Sequence, residues 1–95
     1  MIIEFNSSPA QINENLRNTV CTKLNRMKDA EQELAKAEVY FGEKRGSKDI
    51  LKICEIDLMV SGASLFVHRE SGSYEDAFQE VLDELAFRIQ LKKKG

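Results

Sequence analysis

One histidine, two cysteines and 16 acidic residues are the first candidates in this chain for acid–base catalysis, thiol chemistry or metal binding. His68 alternates with Ser64 and Phe66, as on the outward row of a strand, and no nucleophile motif accompanies it. Cys21 and Cys54 lack the CxxC spacing of zinc and redox sites, so we expect two reduced thiols. Because no nucleophile, base and orienting group occur together, we predict no enzymatic activity, no small-molecule substrate, no cofactor and no bound metal.

Four of the 16 acidic side chains are predicted to share the outward face of a sheet. Oxygen ligands in such numbers suit a hard cation, but their spacing matches no calcium-binding loop. A solvated acidic face is the favoured interpretation, and its charge also opposes edge-to-edge association of sheets. These residues are Glu4, Glu38, Glu55 and Asp57.

The basic residues are concentrated along the edges of two amphipathic helices. At about 100° per residue, Lys23 and Arg26 fall on one edge of the first helix's apolar stripe. If the two helices lie side by side, their cations form a rim that could dock on phosphate groups. The alternative is ordinary solvated side chains whose stems cover the core, and spacing alone favours that alternative. The rim comprises Lys23, Arg26, Arg17 and Lys28 of the first helix, and Arg88 and Lys92 of the second.

The first strand and the first helix are predicted from alternation and capping. Ile3 and Phe5 alternate with polar residues, which indicates a strand at 2–6. Ser8 is a good N-cap and Pro9 suits the first helical position, so a helix is expected from there to about residue 28. Its apolar stripe is Ile12, Leu16, Val20, Leu24 and Met27.

Three strands and a second helix follow, with strands predicted at 35–44, 51–60 and 64–70. Ser73 and Asp76 form a capping box that begins the second helix. The inward rows of the strands are Ala35, Ala37, Val39 and Phe41; Cys54, Ile56, Leu58 and Val60; and Leu65 and Val67. The helix stripe is Tyr74, Ala77, Phe78, Val81, Leu82, Leu85 and Ile89, and Gly42, Gly46, Gly62 and Gly72 are expected at turns or strand ends.

The predicted architecture is therefore a single α+β domain over residues 1–95, of order β-α-β-β-β-α. Each helix has one apolar stripe and the strands share one apolar face, so both helices should pack on one face of a four-stranded sheet. A formal net charge of -2 means that any basic patch must be local. The sequence contains no apolar run long enough for a membrane span and no signal-peptide pattern, so we expect a cytoplasmic protein without a membrane partner.

Four local sequences, in this order and spacing, resemble the short ribosome hibernation-promoting factors, the family of ribosome-associated inhibitor A or protein Y. They are the segments Lys23–Met27, Ala37–Phe41, Glu55–Gly62 and Tyr74–Phe78. The resemblance runs nearly end to end and implies a fold similar to that of double-stranded-RNA-binding domains. It also implies binding to small-subunit ribosomal RNA in the messenger and transfer RNA channel, and inhibition of translation in stationary phase or under stress.

The resemblance implies RNA contacts by Lys23, Arg26 and Lys93. With the other helix-edge cations and the C-terminal lysines, the predicted RNA-binding set is Lys23, Arg26, Lys28, Arg88, Lys92, Lys93 and Lys94. The chain departs from the family at Phe87 and Leu91, where basic residues are usual. Both lie opposite the apolar stripe and should be exposed, which leaves open an alternative function: a protein-interaction or self-associating module, such as a homodimer, that has lost RNA binding.

Overall fold

The computed structural model describes residues 1–6 and 12–94, and their side chains as far as residue 91. The chain forms β1 (Ile2–Phe5), α1 (Glu14–Ala30), β2 (Leu34–Arg45), β3 (Ile50–Val60), β4 (Ala63–Ser71) and α2 (Tyr74–Lys94). This order confirms the predicted β-α-β-β-β-α arrangement.

The strands form one four-stranded sheet in the order β1-β2-β3-β4. β1 runs parallel to β2, and the β2–β3 and β3–β4 pairs are antiparallel. Val39 lies opposite Ile56, and Ile56 lies opposite Val67, so inward residues form rows across the sheet. The intervening rows point to the other face, which we call the open face.

One apolar core joins the inner face of the sheet to the stripes of both helices, as predicted. Leu16, Val20 and Leu24 of α1 are buried in it together with the inward residues of β2, β3 and β4. The α2 contribution is Ala77, Phe78, Val81, Leu85 and Ile89. Because both stripes lie against one sheet face, the charged edges of the helices lie on the side of the molecule opposite the open face.

The start of α1 differs from the prediction. Ser8 and Pro9 lie outside the described residues, but Ile12 and Asn13 precede the helix, so the predicted start is too early. The Asn13 side chain accepts a 2.8 Å hydrogen bond from the Leu16 backbone N–H and forms the N-cap. Asparagine is as good a cap as serine, and Glu14 in the first turn also suits the helix dipole.

The inward row of β2 contains one error of prediction, at Ala35. The β2–β3 register is irregular between Leu34 and Lys36, which makes Ala35 an additional residue. Leu34 is therefore buried and Ala35 is exposed, the reverse of simple alternation. A β-bulge of this kind shifts the side-chain alternation by one residue, and no pattern in the sequence announces it.

Gly42 was predicted at a turn or strand end, but it lies inside β2. A Cβ atom added to Gly42 would collide with the phenol ring of Tyr40, two residues earlier on the same face. The glycine therefore makes room for the Tyr40 ring to lie over the backbone, a known use of glycine in strands.

Both cysteines are free thiols; Cys54 is buried and Cys21 is partly buried. Burial raises the pKa of Cys54 to about 12, which keeps it a neutral thiol. Among the residues that the structure describes, no helix is both long enough and apolar enough to cross a bilayer.

Candidate nucleic-acid interface

A groove of about 450 Å³ runs between the two helices. Its floor is apolar and its rim is polar. The α1 side is formed by Lys23, Arg26, Met27 and Ala30, and the α2 side by Gln79, Leu82, Asp83 and Ala86. Two of the predicted RNA-binding residues, Lys23 and Arg26, are thus brought together in one surface feature.

Lys23 and Arg26 differ in how they are held. Lys23 Nζ donates a 2.7 Å hydrogen bond to Gln79 Oε1, and Gln79 Nε2 donates a 2.9 Å bond to Asp83 Oδ1. This chain of hydrogen bonds fixes the Lys23 ammonium over the groove. Arg26 is exposed and forms no hydrogen bond or ion pair with the described residues, so its guanidinium is free to meet a ligand.

Arg88 lies elsewhere, on the flank of α2 that faces β4. Its Nε donates a 2.8 Å bond to Glu84 Oε2, and its Nη1 donates a 3.1 Å bond to the Phe66 carbonyl. Glu84 also pairs with Arg69 of β4 at 3.4 Å. The structure therefore does not bring Arg88 together with Lys23 and Arg26, and Arg88 shares its carboxylate partner, Glu84, with Arg69. An RNA contact by Arg88 stays a prediction.

The opposite edge of α1 carries cations with structural contacts. Lys28 Nζ donates a hydrogen bond to the Gln32 carbonyl just after the helix. Its positive charge there interacts favourably with the negative, C-terminal end of the α1 dipole. The Arg17 guanidinium lies 4.6 Å from the centroid of the Phe5 ring, a cation–π contact between α1 and β1. An RNA contact by Lys28 stays a prediction. To bind a phosphate, the Lys28 ammonium would have to release the Gln32 carbonyl or bind both groups at once.

Lys92, Lys93 and Lys94 belong to the last turn of α2, and their side chains lie outside the described residues. Their predicted RNA contacts therefore stay predictions. Phe87 and Leu91 are 53% and 55% exposed, which confirms their predicted exposure. Two large apolar side chains are thus solvent-exposed one helical turn apart on α2.

The polar residues that hold the predicted cations were missed in the sequence. Gln79 and Asp83, like Glu84 and Arg88, are four residues apart on α2, a spacing that indicates side-chain pairs within a helix. The contact between Lys23 and Gln79 has no such signal, because it depends on how the two helices pack.

Comparison with known proteins decides the family. Residues 3–94 match the profile of the family described as sigma 54 modulation protein / S30EA ribosomal protein. The chain belongs to this family. That match confirms the resemblance on which the sequence interpretation relied. No curated protein matches the sequence significantly.

Two solved structures have the same fold as this S30EA-family chain. A ribosomal subunit interface protein from Coxiella burnetii superposes with a TM-score of 0.83 at 18% identity, over 100% of both chains. The N-terminal domain of Thermus thermophilus protein Y gives a TM-score of 0.75 at 20% identity, over 94% of this chain and 96% of that one. At these identities the likeness confirms the fold, including the placement of both helices on one sheet face.

Proposed function

We propose that this chain is a ribosome-associated translation inhibitor, a hibernation factor that binds small-subunit ribosomal RNA in the channel for messenger and transfer RNA. The observation that carries the proposal is the groove between α1 and α2, where Lys23 is fixed beside the unpaired Arg26. Membership of the S30EA family supports it, as does the fold shared with a protein described as a ribosomal subunit interface protein. The protein acts in the cytoplasm, in stationary phase or under stress.

The groove suits a phosphate backbone for physical reasons. The Arg26 guanidinium offers a planar fork of donors, while the Lys23 ammonium is a positioned point charge. The carboxylates of the open face lie on the other side of the sheet and repel phosphate. The protein is thereby oriented with its helices toward RNA. In this position it fills the channel and so prevents messenger and transfer RNA from binding there.

Co-sedimentation with purified small ribosomal subunits tests this proposal. The wild-type protein should pellet with the subunits at low salt and be released as salt rises, because phosphate contacts displace counterions. A Lys23→Ala/Arg26→Ala double variant should remain in the supernatant. Arg45→Ala/Lys48→Ala removes an exposed arginine and an exposed lysine at the turn between β2 and β3, and serves as the control matched in charge. Failure of the wild type to bind at low salt would overturn the proposal.

A second candidate is a protein-interaction or self-associating module. The observation that favours it is the exposed apolar pair Phe87 and Leu91, which stands where the sequence resemblance implies cations. A homodimer through these residues would dissociate on dilution, as sedimentation velocity at several concentrations would show. A strict monomer that is unchanged by Phe87→Lys contradicts this candidate.

A further inference from the structure

The open face of the sheet carries three carboxylates side by side. Glu38 of β2 lies directly opposite Glu4 of β1 on one side and Asp57 of β3 on the other. Like charges in directly opposed positions destabilise a sheet. Such a row costs the folded protein free energy that a neutral or alternating row would not.

Cations of the chain itself neutralise only part of this carboxylate row. Lys36 Nζ lies 3.5 Å from Glu4 Oε2 and 3.2 Å from Glu38 Oε1, and so offsets one end of the row. Asp57 forms no hydrogen bond or ion pair within the part of the chain that the structure describes. The partly exposed carboxylate at the centre of the sheet thus has no counter-charge of its own.

Exposed apolar side chains flank this carboxylate. Phe66 of β4 lies directly opposite Asp57 and is 52% exposed. In the next row, Tyr40 lies opposite Glu55, with its ring over Gly42. Four of the seven large apolar side chains that are exposed in the described chain belong to the open face: Ile2, Tyr40, Met59 and Phe66.

Two of these side chains, Tyr40 and Phe66, line a shallow cleft of about 180 Å³, whose other lining residues are Asn6, Glu38, Glu55 and Asp57. The lining alternates carboxylates with aromatic rings. A guanidinium or ammonium group suits such a site, because it pairs with carboxylates and also lies favourably against aromatic faces. Arginine suits it best, since its plane can stack while its edge donates to a carboxylate.

We propose that the open face is a docking surface for an extended, arginine-rich polypeptide segment of a partner protein, with one arginine in the cleft beside Asp57. The excess of negative charge on the open face favours a positively charged partner. The face carries five carboxylates against Lys36, Lys44 and His68, so it repels phosphate and equally repels a second copy of itself. The apolar side chains of the segment cover Phe66 and Met59.

The segment lies across the face and does not extend the sheet. The β4 edge is occupied by arginine side chains: Arg88 Nη1 donates to the Phe66 carbonyl at 3.1 Å and Arg69 Nη1 to the His68 carbonyl at 2.8 Å. Capped carbonyls do not accept an added strand. The surface is independent of the α1–α2 groove, so the partner and RNA are bound simultaneously.

The test is fluorescence anisotropy with a labelled peptide in which arginine alternates with valine, and a control peptide with glutamate in place of arginine. The wild-type protein should bind only the arginine peptide. Asp57→Lys and Phe66→Ser should each weaken binding by about tenfold or more, the usual effect of losing a close charge pair or an aromatic anchor. Glu75→Lys makes the same charge change on the exposed first turn of α2 and should leave binding unchanged.

Circular dichroism checks that each variant is folded. If Phe66→Ser fails to fold, Asp57→Lys still carries the test, because it replaces a like-charge contact with an opposite one. The proposal is overturned if the arginine peptide does not bind, or if Glu75→Lys weakens binding as much as Asp57→Lys does. The Lys23→Ala/Arg26→Ala variant should retain the peptide, which separates this proposal from the ribosome proposal.

Discussion

Lys23 of α1 and Gln79 of α2 are joined by a 2.7 Å hydrogen bond that spans the groove between the two helices. The bond converts a flexible lysine into a fixed charge, and Asp83 holds Gln79 in turn. Arg26, one turn along α1, has no such tether. The groove therefore combines a cation held by a hydrogen bond with one that has no such bond, and the two should contribute differently to RNA binding.

The first prediction concerns Arg26. Arg26→Ala should weaken binding to small ribosomal subunits and reduce the slope of log affinity against log salt by about 0.7 to 0.9 for each phosphate that Arg26 neutralises. Arg26→Lys should restore the slope but only part of the affinity, because a lysine cannot make a two-pronged contact. A salt titration of binding measures both quantities. An unchanged slope for Arg26→Ala would place Arg26 outside the interface.

The exposed pair on α2 gives the second prediction. Phe87→Lys/Leu91→Lys introduces cations at the two positions where the sequence resemblance implies them, so small-subunit binding should become tighter and more dependent on salt. Both side chains are more than half exposed, so the fold should tolerate the change. Phe87→Gln/Leu91→Gln is the control that removes the apolar surface without adding charge. Weaker binding by the lysine variant would show that the apolar pair itself contacts the ribosome.

His68 should make the stability of the sheet depend on pH. His68 Nε2 lies 2.9 Å from Glu70 Oε2, and His68 Nδ1 lies 2.7 Å from Glu55 Oε2. Both hydrogen bonds raise the pKa of His68, the one to Glu70 more than the one to Glu55. Lys44, at 3.6 Å from Glu70, shares that carboxylate. A histidine pKa that is raised in the folded state stabilises the fold fully below the ordinary value of about 6.5, and the contribution is lost as pH rises through the folded value.

The measurement is the urea midpoint of the wild type and of His68→Gln across that pH range. The wild type should be the more stable just below about pH 6.5, where Glu70 is still a carboxylate, and the difference should shrink as pH rises above that value. A difference that stays constant or grows with pH would contradict protonation of the Glu55–His68–Glu70 cluster.

A fourth prediction follows from the acidic row on the open face. Asp57→Thr should raise the free energy of unfolding by roughly 0.2–1 kcal/mol, because it removes a like charge directly opposite Glu38 and adds a β-branched residue to a strand. Chemical denaturation measures the change. Met59→Thr makes a similar β-branched change on the same face without altering charge and isolates the electrostatic part. If both variants gain equally, the carboxylate row carries no cost.

The N-cap of α1 is the subject of the fifth prediction. Asn13→Ala should lower the free energy of unfolding by about 1 kcal/mol, because the Leu16 N–H loses its acceptor. Asn18→Ala makes the same chemical change at an exposed position inside α1 and should leave stability unchanged or slightly higher. Equal losses at the two positions would contradict the assignment of the cap.

Much of the fold follows from periodicity, and the failures have local causes. Alternation in 51–60 correctly placed Cys54, Ile56, Leu58 and Val60 in the core. It failed at Ala35, where a bulge reversed the pattern, and at α1, where two good caps compete and Asn13 forms the observed one. Local patterns carry no information about which of two acceptable choices the tertiary structure favours.

The candidate site was less predictable than the fold. Helix spacing correctly put Lys23 and Arg26 on one edge, but it could not assign that edge to α2 or supply Gln79 as a partner. Nor could it place Arg88 against β4, since the rotation of α2 on the sheet decides which flank meets the strand edge. Distances between elements that are far apart in sequence are set by packing.

An electron cryomicroscopy structure of the protein bound to the small ribosomal subunit would test the proposed RNA binding without intermediate steps. The protein should lie in the messenger and transfer RNA channel, with the α1–α2 groove against ribosomal RNA. Arg26 should lie within hydrogen-bond distance of a phosphate oxygen, and the open face should be turned away from RNA. A complex outside the channel, or one with Asp57 and Phe66 facing the RNA, would contradict the proposal.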